Sequence, residues 1–456
     1  MSFDNLADDF KQRESRYFEE LSEFLRFKSI SADSEYKTEV LACVNWLKTH
    51  VSKLGFEAEI RETSGYPALV ASRLINPNLP TILFYGHYDV QPPDPLDQWE
   101  SDPFEPTIRN QRIYARGAQD DKGQVFFVLK AIDYLIEKSL LNVNLKLCIE
   151  GEEEIGSPGL PTALPKWKDD LKADLLLICD TNKTDTGNPC MVAGLRGIAG
   201  YEFKVKTAER MLHSGHYGGA VANAASVAAN LISTFHDAEG RITIEGLYED
   251  VVSISDKTTE LILAASESDK EAIKAIGAKK TWGEPEYPRA VRTRLRPSLD
   301  INGITAGYQG EGSKTVIPNT ASFKLTIRLV PNQTPKKITE LLLAHIEKHC
   351  PDTAEVELLN EKAASPALGI DPEQAELKHV LNLLAKISDK EPMLDWMGGS
   401  IPIISDLAKS SGAVPLLVGF GTDQGRIHEP NESFGIQDFW EGFRFATHLL
   451  SDPLPK

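Results

Sequence analysis

The residues of this 456-residue chain that can do chemistry fall in short, widely separated clusters: His87-Tyr88-Asp89, Asp120-Asp121, Glu152-Glu153-Glu154, Asp180 and His428. Imidazoles and carboxylates with no thiolate among them suit zinc, manganese or cobalt better than calcium. If Asp120, Asp121, Glu153, Glu154 and Asp180 met in one cleft, they would raise one another's pKa and destabilise the fold. A pair of divalent cations would remove that cost. Two such ions ~3.5–4 Å apart can also hold and acidify a water and polarise a carbonyl. In an extended segment residues two apart face the same way, so Asp89 can bond the far ring nitrogen of a metal-bound His87 and fix its tautomer. Of two adjacent glutamates, one can ligate while its neighbour takes the proton of the water.

Singly, each cluster has a plainer explanation. An H-x-D triplet is usually a turn, and a run of glutamates is usually a solvated face. Asp120-Asp121-Lys122-Gly123 reads as a polar helix start, with aspartates favoured by the N-terminal dipole. His428 alone is a loop histidine. Placement joins them. The apolar runs 81–85, 145–149, 174–179 and 414–420 lead directly into His87, the glutamates, Asp180 and the His428 segment. These runs read as buried strands, and the stretch 123–138 between the first two reads as a helix. In open α/β sheets the ligand crevice lies at the carboxyl ends of the strands, so the clusters converge at one edge of one sheet. Helical spacing also marks 4–27 and 39–54.

The middle third differs. Residues 201–206 and 321–329 alternate apolar and polar, as expected of a sheet with one wet face. Helices are expected at 220–235 and 335–349. The fold class is therefore α/β, a mostly parallel sheet carried by 1–196 and 366–456, with an α+β domain inserted at 197–365.

Composition limits the partners. The net charge of −18 disfavours nucleic acid and anionic membranes. No apolar run approaches the ~18 residues of a membrane span. The five cysteines form no C-x-x-C pair, which argues against a disulfide framework or a four-cysteine zinc module. The expectation is a soluble cytoplasmic protein. Gly310 to Thr315 imitates a phosphate loop, but Ser313 replaces the glycine required before the lysine. There is no HExxH helix and no G-x-S-x-G elbow.

Several longer segments resemble one family's signature: 86–92 (GHYDVQP), 99–104 (WESDPF), 115–123 (ARGAQDDKG), 150–156, 194–197 (GLRG) and 213–215 (HSG). The family is the metallopeptidase family twenty, the co-catalytic metallopeptidases that include carnosinases, cytosolic nonspecific dipeptidases, glutamate carboxypeptidase, and acetylornithine and succinyl-diaminopimelate deacylases. The segments 213–219 and 307–310 are most similar to the dipeptidase branch. The resemblance implies a zinc-peptidase fold with two divalent metal ions per chain, zinc first, manganese or cobalt as alternatives. It implies His87 and Asp180 on one metal, Glu154 and His428 on the other, and Asp120 bridging both. Glu153 would be the general base and Asp89 would orient His87. The inserted domain would be lid and dimer interface of a homodimer, with His213 stabilising the oxyanion in the partner protomer's site. Arg328 would bind the C-terminal carboxylate of a short peptide substrate, beside a loop carrying Gly399 and Ser400. The implied reaction is cleavage of a dipeptide amide bond through a metal-bridging hydroxide. A deacylase acting on N-acyl amino acids is the second reading, and a non-catalytic binding protein on the same fold is the third.

Overall fold

The computed structural model describes residues 5–452. The chain divides into two compact units: Met1–Ala193 with Ile370–Asp395 and Ile403–Lys456, and Gly194–Gly369 with Trp396–Pro402.

The first unit is built on a twisted sheet whose centre is parallel. Strand Thr81–His87 runs parallel to Asn144–Glu150 on one side and to Leu175–Ile178 on the other, and Val414–Leu417 continues parallel to Leu175–Ile178. Two antiparallel strands, Ala68–Arg73 and Glu57–Arg61, extend the sheet beyond Asn144–Glu150. The four parallel strands are the four apolar runs of the sequence, and they are buried because helices cover the sheet. Helix Leu6–Leu25 buries Phe10, Tyr17, Phe18, Leu21 and Phe24. Helix Lys122–Glu137 is buried almost all round and packs against Ile436–Ser451. That approach is close: a Cβ at Gly442 would lie 2.6 Å from the Phe127 ring.

Register aligns the strand ends. His87 pairs with Glu150, and Tyr85 lies opposite Ile178. Two residues beyond Ile178, Asp180 comes level with His87, as the side-chain period of a strand requires.

The second unit has its own core. Its antiparallel sheet runs in the order Ser298–Ala306, Thr320–Leu329, Gly197–Lys206, Glu355–Ser365. Alternate residues of Thr320–Leu329 are buried, among them Phe323, Leu325 and Ile327. Phe203 faces Phe323 across the strands with ring centroids 5.3 Å apart. Helices Ala224–Ser233 and Pro335–His349 supply Leu231 and Leu342 to that core.

The segment Trp396–Pro402 belongs with the second unit, although its position in the sequence suggests the first. The reason is local bonding. Arg196 donates from its backbone to the Met397 carbonyl at 3.2 Å and from Nε to the Gly398 carbonyl at 3.0 Å. The Ser365 hydroxyl donates to Pro402.

Candidate metal centre

The clusters converge within the first unit. Nε2 of His87 lies 3.0 Å from Oδ1 of Asp120 and 3.9 Å from Oδ2 of Asp180. Nε2 of His428 lies 3.0 Å from Oδ2 of the same Asp120 and 3.2 Å from Oε2 of Glu154. The two oxygens of Asp120 thus face two imidazoles that are 341 positions apart in the chain. The possible donor atoms form two groups: His87, Asp121 and Asp180, and Asp120, Glu154 and His428. Within each group the atoms lie within 4.8 Å of one another.

Asp121 in the first group is an addition to the ligand set read from the sequence. Its Oδ2 accepts from the His87 backbone N–H at 3.2 Å, and its other carboxylate oxygen is buried with no partner. Gly86 makes room for it, since a Cβ there would sit 2.9 Å from Oδ2.

Each donor is held by the elements beneath it. Asp89, fully buried, lies 3.3 Å from Nδ1 of His87 through Oδ1, and its own carbonyl is 3.1 Å from the same nitrogen. A proton on Nδ1 satisfies both and leaves Nε2 free toward the acids. Asp89 also accepts from the backbone N–H groups of Glu153 and Glu154, each at 3.2 Å, and from the Ser31 hydroxyl at 2.6 Å. One carboxylate therefore orients the histidine and the turn that bears the glutamates. Gln91 donates to Glu154 Oε2 at 2.9 Å. His428 stands on a loop where Arg426, His428 and Asn431 all have positive φ; left-handed backbone at a side chain other than glycine or asparagine costs of order 1 kcal/mol or more and clusters at functional sites.

The electrostatics ask for cations. Burial pushes the Glu153 carboxyl well above its usual range, and Asp180, Glu154 and Asp120 add to the shift against the opposing charge of His87. Burial likewise raises Asp180, with Asp121 and Asp120 next to it, and raises Asp121 and Glu154. Asp120 is held low in spite of burial because both histidines donate to it. The same pairing, with Asp120 first and Glu154 second, pushes His428 up to about 10. Without a metal, protonated imidazoles are the only cations facing these acids among the described contacts. An unpartnered buried carboxylate oxygen, two N/O donor groups and surplus buried negative charge fit a pair of divalent ions.

The remaining residues expected in the site lie in the second unit. Nη1 of Arg328 donates to the Ser400 hydroxyl at 2.9 Å, and Ser400 donates to the Arg196 carbonyl. Gly399 is exposed with open space where a Cβ would be. His213 is exposed, and its Nδ1 accepts from the Gly215 backbone N–H at 3.0 Å. Sequence reasoning passed over Ser31 and Gln91 as supports, although Gln91 falls at the next same-facing position after His87 and Asp89.

Comparisons with known proteins show the family of the chain. The description Peptidase family M20/M25/M40 matches residues 83–452. The chain is 29% identical over 460 residues to the Cys-Gly metallodipeptidase of Candida albicans, with 96% of this chain and 94% of that one covered. It is 28% identical over 393 residues to the human Beta-Ala-His dipeptidase, covering 84% and 77%. Its structure is similar to an M20 family metallo-carboxypeptidase from Sulfolobus solfataricus, with a TM-score of 0.86 at 35% identity over 95% of this chain and 98% of that one. It is also similar to a di-peptidase of Saccharomyces cerevisiae, with a TM-score of 0.82 at 25% identity over 97% of each. The chain belongs to peptidase family M20/M25/M40. Among the described residues no helix is long and apolar enough to cross a membrane.

Proposed function

We propose that this protein is a dinuclear-metal dipeptidase. The observation that carries the reading is Asp120, whose two carboxylate oxygens each face a different histidine, with Glu154 and Asp180 completing the two sides. His87 and Asp180 would hold one ion, Glu154 and His428 would hold the other, and Asp120 would contribute to both. Zinc leads among the candidates, and manganese and cobalt fit the same donors. The ions supply Lewis acidity, polarising the scissile carbonyl and acidifying the attacking water.

The chain's own groups do the rest. Glu153 takes the proton of the attacking water as the general base. It then returns that proton to the leaving amine. Asp89 keeps His87 in one tautomer. Arg328, whose Nη1 is set by Ser400, receives the substrate's free carboxylate as a planar guanidinium does, with Gly399 leaving space. His213 from a partner protomer stabilises the oxyanion, which makes the homodimer through the second unit the working form. A cytoplasmic setting suits cysteines that form no C-x-x-C pair.

Glu153→Gln tests the assignment. It should keep both metals and lower kcat by about 10²–10⁴-fold; kcat near wild type removes Glu153 from the role. Substrate class is tested on zinc- or manganese-loaded enzyme, with Cys-Gly and β-alanyl-histidine assayed against N-acetyl and N-succinyl amino acids. Faster turnover of the N-acyl compounds would make the protein a deacylase.

A further inference from the structure

Four residues after His428 lies Glu432, whose side chain is fully buried and absent from the ligand set. Its carboxylate is filled by donors from one short loop. Oε2 accepts from the Gly117 backbone N–H at 3.0 Å and from Nη1 of Arg116 at 2.7 Å. Oε1 accepts from the backbone N–H groups of Gln119 at 2.9 Å and Asp120 at 3.0 Å. Residues 115–121 form no helix or strand, so their shape is not set by a local ladder. Three of their N–H groups point at this single carboxylate instead. Buried N–H groups left without an acceptor are costly, so the loop closes around Glu432 in one arrangement.

The rest of the construction fixes Glu432 itself. Its carbonyl accepts from the Ala115 N–H at 3.2 Å. The next three residues, Ser433–Gly435, pair antiparallel with Arg112–Tyr114. Arg116 is also buried; it donates to the Pro92 carbonyl at 3.1 Å and lies over the Trp99 ring. The pair Arg116–Glu432 is thus clamped from several sides, and the last backbone group it holds is that of Asp120.

We propose that Glu432, paired with Arg116, is a positioning residue for the shared metal ligand: by gathering the N–H groups of Gly117, Gln119 and Asp120 it sets the Asp120 carboxylate midway between His87 and His428. The inference rests on the dinuclear reading and deepens it. The 428–432 segment supplies a ligand with its first residue and braces the opposite ligand with its last. An ordinary buried ion pair would hold the fold together but have no particular effect on metal affinity. Loss of a brace for the shared carboxylate weakens the binding of both ions at once.

The test is titration of chelated protein with zinc chloride, followed by calorimetry, with circular dichroism as the control for folding. Glu432→Gln is close in shape but presents an amide to donors that need an acceptor. It should fold and bind both metals about 10–100-fold more weakly, the range seen when a ligand's support is lost. If the single change unfolds the protein through an unpaired Arg116, the double variant Glu432→Gln with Arg116→Met removes both charges and should show the same loss in a folded chain. Two metals bound at wild-type affinity by a folded variant would overturn the positioning role. A wild-type protein that bound no zinc would instead overturn the dinuclear reading itself, so the two failures are distinguishable.

Discussion

The two sides of the candidate metal centre are made differently. On the His87 side the imidazole is fully buried, its far nitrogen is held by the buried Asp89, and Asp121 packs beneath it. On the His428 side half the imidazole is exposed, the loop is left-handed at three positions, and the Glu154 carboxylate accepts from Gln91 while its backbone donates to Asp89. The first side grows from the middle of a sheet and the second from a loop. On the proposed ligand set, the first position is preorganised by burial and the second is open to solvent.

The contrast fails if the two histidines are equivalent. His87→Ala should lose both ions and destabilise the metal-free protein by about 1–3 kcal/mol, because Asp89 and Asp120 keep buried lone pairs without a donor. His428→Ala should lose one ion, keep the other and destabilise the metal-free protein less than His87→Ala does, because half of the His428 imidazole is exposed. Metal analysis after dialysis, with thermal melts, separates these outcomes. A smaller effect sharpens the same contrast. Asp89→Asn leaves His87 in place but weakens its orientation, and should reduce metal affinity about 10–100-fold with a correct fold by circular dichroism. An unchanged titration would mean that burial alone fixes His87.

An effect of comparable size concerns protons. In metal-free protein His428 is pushed up to about 10 by Asp120 and Glu154, so it is charged at neutral pH and must shed its proton to ligate. Metal affinity on the open side should therefore rise with pH, by about tenfold per unit between pH 7 and 9 for one proton released. For the metal-free fold the sign is opposite. The raised pKa contributes stability below the unfolded value near 6.5, and that contribution is lost as pH climbs through about 10. Calorimetry in buffers of different ionisation heat counts the released proton, and a count of zero would place His428 neutral from the start.

The sequence reveals the buried half of the site more readily than its supports. Thr81–His87, Asn144–Glu150 and Leu175–Ile178 are legible because apolar runs end at chemistry-bearing residues. Helix Pro335–His349 matches its expected limits because Pro opens it and its apolar spacing is regular. The flanking strands Glu57–Arg61 and Ala68–Arg73 are not legible, since the first is a half-exposed edge strand with no apolar stripe. The bend of residues 115–121 has no local signal at all, because its acceptor, Glu432, is more than 300 residues away. Likewise Trp396–Pro402 gives no hint that Arg196 and Arg328 claim it. Periodicity reports burial, and it is silent about contacts made between loops.

One consequence of this layout concerns synthesis. His87, Asp120, Glu154 and Asp180 leave the ribosome first, and His428 and Glu432 follow about 250 residues later, after the whole second unit. At roughly 5–20 residues per second the nascent chain spends on the order of ten to fifty seconds with four metal-seeking groups and neither the last ligand nor the brace. On the proposed ligand set, a full dinuclear load would be an event of the finished polypeptide, and truncation before His428 would silence the enzyme as surely as damage to its centre.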